Sequence, residues 1–361
     1  MKRAAPPPAQ EPGGNPAHAH VNATLSPGSR WDRLRLRLSR YAWALPLIVF
    51  LLALVPRLFG LDVFLTADED DQLRFAAGFL TAILDRDWAR AVLLGYPGVP
   101  TMALGGLALA LRYMWHAWGY APLPDAGPDM ATTLAHVADH PLVYLPAART
   151  VMVIAASLAI LVMYLLMRRI VGRHIAFLAA VLIAFEPFFM ANSRVLHVDA
   201  PLAYFMFLSF LAFWLYLTQG RWGWLALSGL CGALATLSKT PGALLGPILV
   251  AAGLIYALHP PLASAASQDT VSDAPLSTGQ RWRRFFVAIT IWGVVAVAAF
   301  YALWPSMWAD PIHALKWITQ NAVIAFKTPH PSSGIFWGIT GSDQSPFYYL
   351  ISLPLRLSPL A

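Results

Sequence analysis

Apolar residues run in blocks of about the length that crosses a bilayer, interrupted by short polar stretches. A membrane-spanning helix needs about 20 mostly apolar residues. The runs that qualify are 43–60, 144–167, 174–192, 199–218, 222–238, 241–258, 285–304 and 346–361, the last reaching the end of the sequence. A weaker run, 101–118, is interrupted by Arg112 and His116. The pattern predicts an all-α, polytopic membrane helical bundle of about eight spans. The stretch 69–84 has a different period. Leu73, Ala76, Leu80 and Ile83/Leu84 recur at helical spacing, with Asp70, Asp71, Arg74 and Thr81 off that stripe. Such an amphipathic helix suits the plane of the membrane interface. Tyr96-Pro97-Gly98-Val99-Pro100 reads as a turn before the next helix.

Composition sharpens this picture. Of 361 residues, 58% are hydrophobic and 12% charged, with a mean hydropathy of +0.57. Soluble domains carry roughly 45–50% and about 25%, so a soluble globular enzyme and a disordered chain are both excluded. A single cysteine, Cys231, excludes an internal disulfide framework and a cysteine-based metal cluster. The net charge of +7 does not point to nucleic acid, because the basic residues flank apolar runs and topology accounts for them.

Residues 1–40 read as a basic cytosolic tail, Pro- and Ala-rich and then carrying Arg30, Arg33, Arg35, Arg37 and Arg40. If 101–118 does not cross, that tail, Arg168-Arg169 with Arg173, Arg221, and Arg281 with Arg283-Arg284 all fall on the cytosolic side. The positive-inside rule favours this arrangement. The expected organisation is then a membrane domain over 41–361, with external loops 61–143 and 305–345 and a cytosolic loop 259–284. Juxtamembrane helices belong to the first external loop, and the N-terminus is cytosolic.

This topology collects the rare ionisable groups on one side: Asp68 and Glu69, Arg149, His197 and Asp199, Lys239, His330 and Asp343. Ionisable side chains at such depths are costly and are functional or paired. Each also has a plainer reading. Asp68 and Glu69 suit the N-terminus of a helix, where the dipole favours carboxylates. His197 and Asp199 suit an interfacial turn before Pro201. Lys239 suits snorkelling, and Arg149 suits an interface anchor or a carboxylate partner. Glycine-rich phosphate loops, HExxH and GxSxG are absent from the sequence.

The ordered set of motifs resembles the family 39 glycosyltransferases, membrane enzymes of the GT-C type that include protein O-mannosyltransferases and aminoarabinose transferases. The resemblance runs through Ala67-Asp68-Glu69, Asp87-Trp88, Tyr96 to Met102, Arg168 to Arg173, Asn192 to Ala200, Ser238 to Pro241, Trp304 to Pro311, His330 to Gly338, and Pro346 to Tyr348. It covers roughly 40–361. Tyr96 stands where many relatives have His, and the chain ends where relatives continue, so it is expected to be short at the C-terminus.

The resemblance implies inverting transfer of a monosaccharide from a polyprenyl-phosphate sugar to an acceptor hydroxyl, of protein, glycan or lipid, outside the cytosol. Asp68 matches the catalytic aspartate that takes the acceptor's proton. Glu69 matches its neighbour, a site-shaping or acceptor-binding group. Lys239 and Arg149 are candidate counter-charges for the leaving phosphate. His197 and Asp199 fall in the site lining, and His330 in a loop over the donor. No cofactor is expected, and a cation beside the phosphate makes a metal unnecessary. Membrane lipids complete the expected partners. The alternatives are a non-catalytic truncated relative and a transporter or flippase.

Overall fold

The computed structural model describes residues 43–91, 95–124, 126–259, 276–327, 334–336, 339–341, 347–348 and 350–351. By Cα proximity the chain divides into Met1–Leu45 and Pro46–Ala361. The first unit lies almost wholly outside the described residues, and the architecture below is that of the second.

The helices in chain order are α1 (Leu45–Leu54), α2 (Glu69–Leu84), α3 (Val99–Ala117), α4 (Met130–Ala135), α5 (Pro141–Val171) and α6 (Arg173–Phe185). They continue as α7 (Pro187–Asn192), α8 (Asp199–Gln219), α9 (Trp222–Ser238), α10 (Leu245–Leu258), α11 (Thr278–Leu303), α12 (Ser306–Ala309) and α13 (Pro311–Lys327). A 3-10 turn, Val55–Leu58, continues α1, and another, Thr240–Leu244, leads into α10.

Among the described residues, four helices are long and apolar enough to cross a membrane: Pro141–Val171, Asp199–Gln219, Thr240–Leu258 and Thr278–Leu303. Three further expected spans correspond to shorter apolar helices, Leu45–Leu58, Arg173–Phe185 and Trp222–Ser238. The eighth, 346–361, falls almost entirely outside the described residues. The expected span 174–192 is broken at Glu186, because Pro187 opens a new helix with the Glu186 side chain capping it at the Phe189 N–H. The segment 101–118 forms a 19-residue helix that is not among the four.

One departure from an all-α chain is a small antiparallel hairpin. Gly334–Phe336 pairs with Ile339–Gly341, Ile335 opposite Thr340. Between the terminal glycines, Ile335, Phe336, Ile339 and Thr340 are β-branched or aromatic, types that favour strands.

Among the described residues, three cores hold the bundle together. In the first, α2, α3 and α5 meet around Leu73, Ala76, Leu109, Leu145 and Met152. The amphipathic stripe of α2 is thus covered by protein rather than left for lipid, and its face is rotated slightly from the expected one. Ala77 and Phe79 are buried, while Leu84 is exposed. The close approach of α2 and α3 needs a glycine, since a Cβ at Gly105 would come 2.7 Å from that of Ala76. Gly98 starts α3 in the left-handed conformation at φ +60°.

The second core joins α2 and α3 to Leu237, Trp304, Met307 and Ile318. The third joins α8 to α11 around Phe213, Leu249 and Ala288. Helices α8 and α9 are also clamped by reciprocal hydrogen bonds. The Ser209 hydroxyl donates to the Ser228 carbonyl at 2.7 Å, and the Ser228 hydroxyl donates to the Ser209 carbonyl at 2.8 Å. Such bonds hold apolar helices in register where hydrophobic packing cannot discriminate.

Candidate active site

The start of α2, the turn 193–198 before α8, and the end of α9 converge at one place. Glu69 decides how they meet. It sits in the first turn of α2 and is fully buried, as is the Arg149 side chain to within 4%. The Arg149 Nε donates to Glu69 Oε1 at 2.8 Å, and its Nη2 donates to Glu69 Oε2. Arg149 also donates to the carbonyls of Leu61 at 2.6 Å and Phe64 at 2.5 Å. Glu69 accepts in addition from the Leu196 N–H at 3.0 Å and from the hydroxyl and N–H of Thr66 at 2.9 and 3.1 Å. Burial opposes the ionised carboxylate. The bonds from Arg149, Leu196 and Thr66 outweigh it and hold the Glu69 carboxyl below the usual carboxylate range.

Of the readings open for these two residues, the geometry favours the site-shaping one for Glu69 and the carboxylate-partner one for Arg149. Glu69 presents no free oxygen to an acceptor, and the Arg149 donors are committed to Glu69, Leu61 and Phe64. Both are positioning residues. Their bonds tie α2, α5 and the 61–66 loop to the turn that carries His197.

Because Glu69 grips Leu196, its neighbour Asp68 faces the next residue, His197. The His197 Nε2 lies 3.5 Å from Asp68 Oδ2, and Nδ1 lies 3.4 Å from Asp199 Oδ2. The Lys239 ammonium donates to Asp199 Oδ1 at 2.8 Å. The result is a continuous row, Asp68, His197, Asp199, Lys239, with side-chain exposures of 71%, 20%, 45% and 35%. The Asp199 backbone N–H approaches His197 Nδ1 at 3.4 Å. In the tautomer that accepts there, Nε2 carries the proton and points it at Asp68. The Thr101 hydroxyl donates to the His197 carbonyl at 3.3 Å and fixes the turn against α3.

Asp68 occupies the N-cap position of α2, yet its side chain caps nothing. Its carboxylate is available for other work. Lys239 ends α9 in an extended conformation, which turns its side chain toward the first residue of α8.

Tyr96 is the residue that the sequence pattern did not single out for chemistry. Its phenolic oxygen accepts from Gln72 Nε2 at 2.8 Å. Gln72 is buried one turn beyond Asp68 on α2. Burial raises the Tyr96 phenol above its ordinary value. The Gln72 bond acts against this, and the charges of Asp68 and Asp199 add to it. The phenol therefore stays protonated beside both carboxylates, with its own O–H free to donate. The signal in the sequence was weak: one tyrosine at a Pro-Gly turn.

His330 and Asp343 lie outside the described residues. Among the described residues, no group of three His, Cys, Asp or Glu side chains is arranged to hold a metal ion.

Residues 144–269 match the family model described as dolichyl-phosphate-mannose-protein mannosyltransferase. The match covers about a third of the chain. It begins within α5 and takes in Arg149, the 193–199 turn and Lys239, but not the start of α2. It points to a membrane glycosyltransferase of the mannosyltransferase type. No curated protein matches the chain.

Proposed function

We propose that this protein transfers a monosaccharide from a polyprenyl-phosphate sugar to an acceptor hydroxyl at the external membrane face, with inversion at the anomeric carbon. The observation that carries this reading is the row Asp68–His197–Asp199–Lys239, assembled from three elements and open to solvent at the Asp68 end. The family match supports a lipid-linked sugar donor, and the longer series of family 39 motifs supports a GT-C architecture.

In this mechanism the acceptor O–H bond breaks as its oxygen attacks the anomeric carbon. Asp68 takes the proton, which makes a poor nucleophile competent. The bond from the anomeric carbon to the phosphate oxygen breaks, and the polyprenyl phosphate leaves with the electron pair. That leaving group needs positive charge rather than a proton. Lys239 supplies it, since two of its three N–H groups remain beyond the bond to Asp199. His197 holds Asp68 and Asp199 apart and in line. The Tyr96 hydroxyl donates a hydrogen bond to the sugar or the acceptor. The reaction runs without a metal, with Lys239 as the counter-charge.

Two experiments test the reading. Cys231 is buried and is replaced by Ser. Single cysteines at 67, 170, 191, 270 and 325 are then probed with an impermeant thiol reagent in intact cells, position 191 being exposed where the nearby Val198 is buried. Labelling at 67, 191 and 325, but not at 170 or 270, is expected. Labelling of 67 and 191 only in permeabilised cells would place the row on the cytosolic side and end this proposal. Membranes are next given polyprenyl-phosphate mannose with radiolabel in the sugar. Label released from the lipid and captured by a hydroxyl acceptor is expected. Movement of the intact lipid-linked sugar between leaflets without cleavage would instead identify a flippase.

A further inference from the structure

We propose that the groove between the end of α1 and the 191–195 turn binds the phosphate headgroup of an anionic phospholipid, through Arg194 with Arg57 behind it. The inference does not rest on the transfer reaction. None of Asp68, His197, Asp199 and Lys239 lines this groove.

Arg57 is wholly buried in the turn that continues α1. Its Nε donates to the Ser193 hydroxyl and its Nη1 to the Ala53 carbonyl, each at 2.8 Å. Its guanidinium carbon lies 5.9 Å from the centre of the Phe189 ring. Its Nη2 is buried with no partner among the described residues. Arg194 donates from Nη2 to the Phe59 carbonyl, and its Nε is likewise buried without a partner among the described residues. The two guanidinium groups are near enough to feel each other's charge.

Two like charges, each with an idle donor, form a costly arrangement. Among the described residues neither arginine has an ion pair: Asp62 and Glu186 offer none, and Asp199 pairs instead with His197 and Lys239. Arg149 borders the same groove, but Glu69 answers its charge. What Arg57 and Arg194 lack is an anion.

The walls say which kind of anion. The groove encloses about 410 Å³, lined by Phe59, Val63, Phe64, Ala191 and Val195 beside Arg194 and Arg149; Arg57 lies behind this wall. Phe59, Val63 and Phe64 are 60–70% exposed. A soluble anion gains nothing from such a rim. A phosphate carried on acyl chains answers the Arg194 guanidinium with its head, with the charge of Arg57 behind it adding to the attraction, and covers the apolar rim with its tails.

The test uses the full chain purified in a neutral detergent and titrated with phosphatidylglycerol, phosphatidylcholine or inorganic phosphate. Retained lipid is read by native mass spectrometry, and the unfolding midpoint by tryptophan fluorescence. Wild type is expected to retain phosphatidylglycerol and to unfold at a higher temperature with it. Arg194→Gln is expected to weaken apparent binding at least tenfold, and Arg194→Lys to keep part of it. Val63→Glu, at a rim position whose side chain is mostly exposed, is expected to weaken it as well by repelling the headgroup. Equal retention of phosphatidylglycerol by wild type, Arg194→Gln and Val63→Glu would overturn the proposal, as would equal retention of phosphatidylcholine by wild type. Stabilisation by inorganic phosphate alone would show an ion site and overturn the assignment to lipid.

Discussion

Asp68 and Glu69 are neighbours in sequence and opposites in circumstance. Glu69 is sealed from solvent and answered by Arg149, Leu196 and Thr66. Asp68 keeps 71% of its side chain exposed and, among the described residues, leans on His197 at 3.5 Å. Successive residues at a helix start project about 100° apart, so two adjacent carboxylates cannot share a face. One of them became a bracket for the scaffold, and the other was left free to react. The lesson is that rigidity at Glu69 is what gives Asp68 a defined position, because the same carboxylate that binds Arg149 also holds the turn next to His197.

The comparison is broken most decisively at Asp68. Asp68→Asn is expected to lower transfer by about 10²–10⁴-fold, the range of a lost general base. Its unfolding midpoint should stay at that of wild type, since the side chain caps nothing. A variant that unfolds early would show that Asp68 belongs to the scaffold after all. Arg149→Met is expected to do the reverse. Leaving Glu69 buried and unpaired costs about 3–5 kcal/mol, read as a lowered midpoint in chemical or thermal unfolding. The double variant Glu69→Leu/Arg149→Met should recover part of the loss. Normal stability of Arg149→Met would return this pair to the list of substrate-binding groups.

Smaller effects sharpen the other half. Lys239→Ala removes a charge-assisted hydrogen bond worth about 1.5–3 kcal/mol. The expected result is a rise of roughly 10–100-fold in the donor KM, with Lys239→Arg in between. An unchanged donor KM would remove Lys239 from the phosphate. Tyr96→Phe removes the bond from Gln72 and, with it, the neutral hydrogen bond to the substrate, worth about 1 kcal/mol, so a roughly fivefold fall in kcat is expected, with donor KM nearly constant.

The last expectation concerns acid. The Glu69 carboxyl is held below its ordinary value in the folded chain, so its contribution to stability is complete above that ordinary value. It is lost as pH falls through the lower, folded value. Stability measured down this acidic range should therefore drop more steeply in wild type than in Glu69→Gln. Parallel curves would mean that Glu69 gains nothing from its partners as an anion.

Much of this chain was legible before any coordinates. The apolar runs 144–167, 199–218, 241–258 and 285–304 correspond to the four long helices, because 20 apolar residues have few other stable arrangements in a bilayer. The run 174–192 was not legible in the same way, since composition alone does not weigh Glu186-Pro187 against the apolar residues on either side. The short hairpin at 334–341 was too brief for its alternation to stand out.

The candidate site divides along a similar line. Charge bias among the loops was enough to put Asp68, His197, Asp199 and Lys239 in one group, and the tertiary structure places these four in a row. The same reasoning put Glu69 and Arg149 beside them; the resemblance added substrate roles, while a carboxylate partner for Arg149 stayed open. Nothing local reveals that two groups 80 positions apart will meet bidentately in the protein interior. Arg57 sits inside the apolar run 43–60 and drew no separate reading from the sequence; its burial is a tertiary result.

Sequence therefore determined which residues lie in apolar helices and which few ionisable groups the chain retains, since hydropathy and charge are properties of each position. Tertiary structure alone decided which of those groups are neutralised and which stay available. That choice depends on what packs within about 4 Å, and side chains far apart in the chain are brought together only when the helices close.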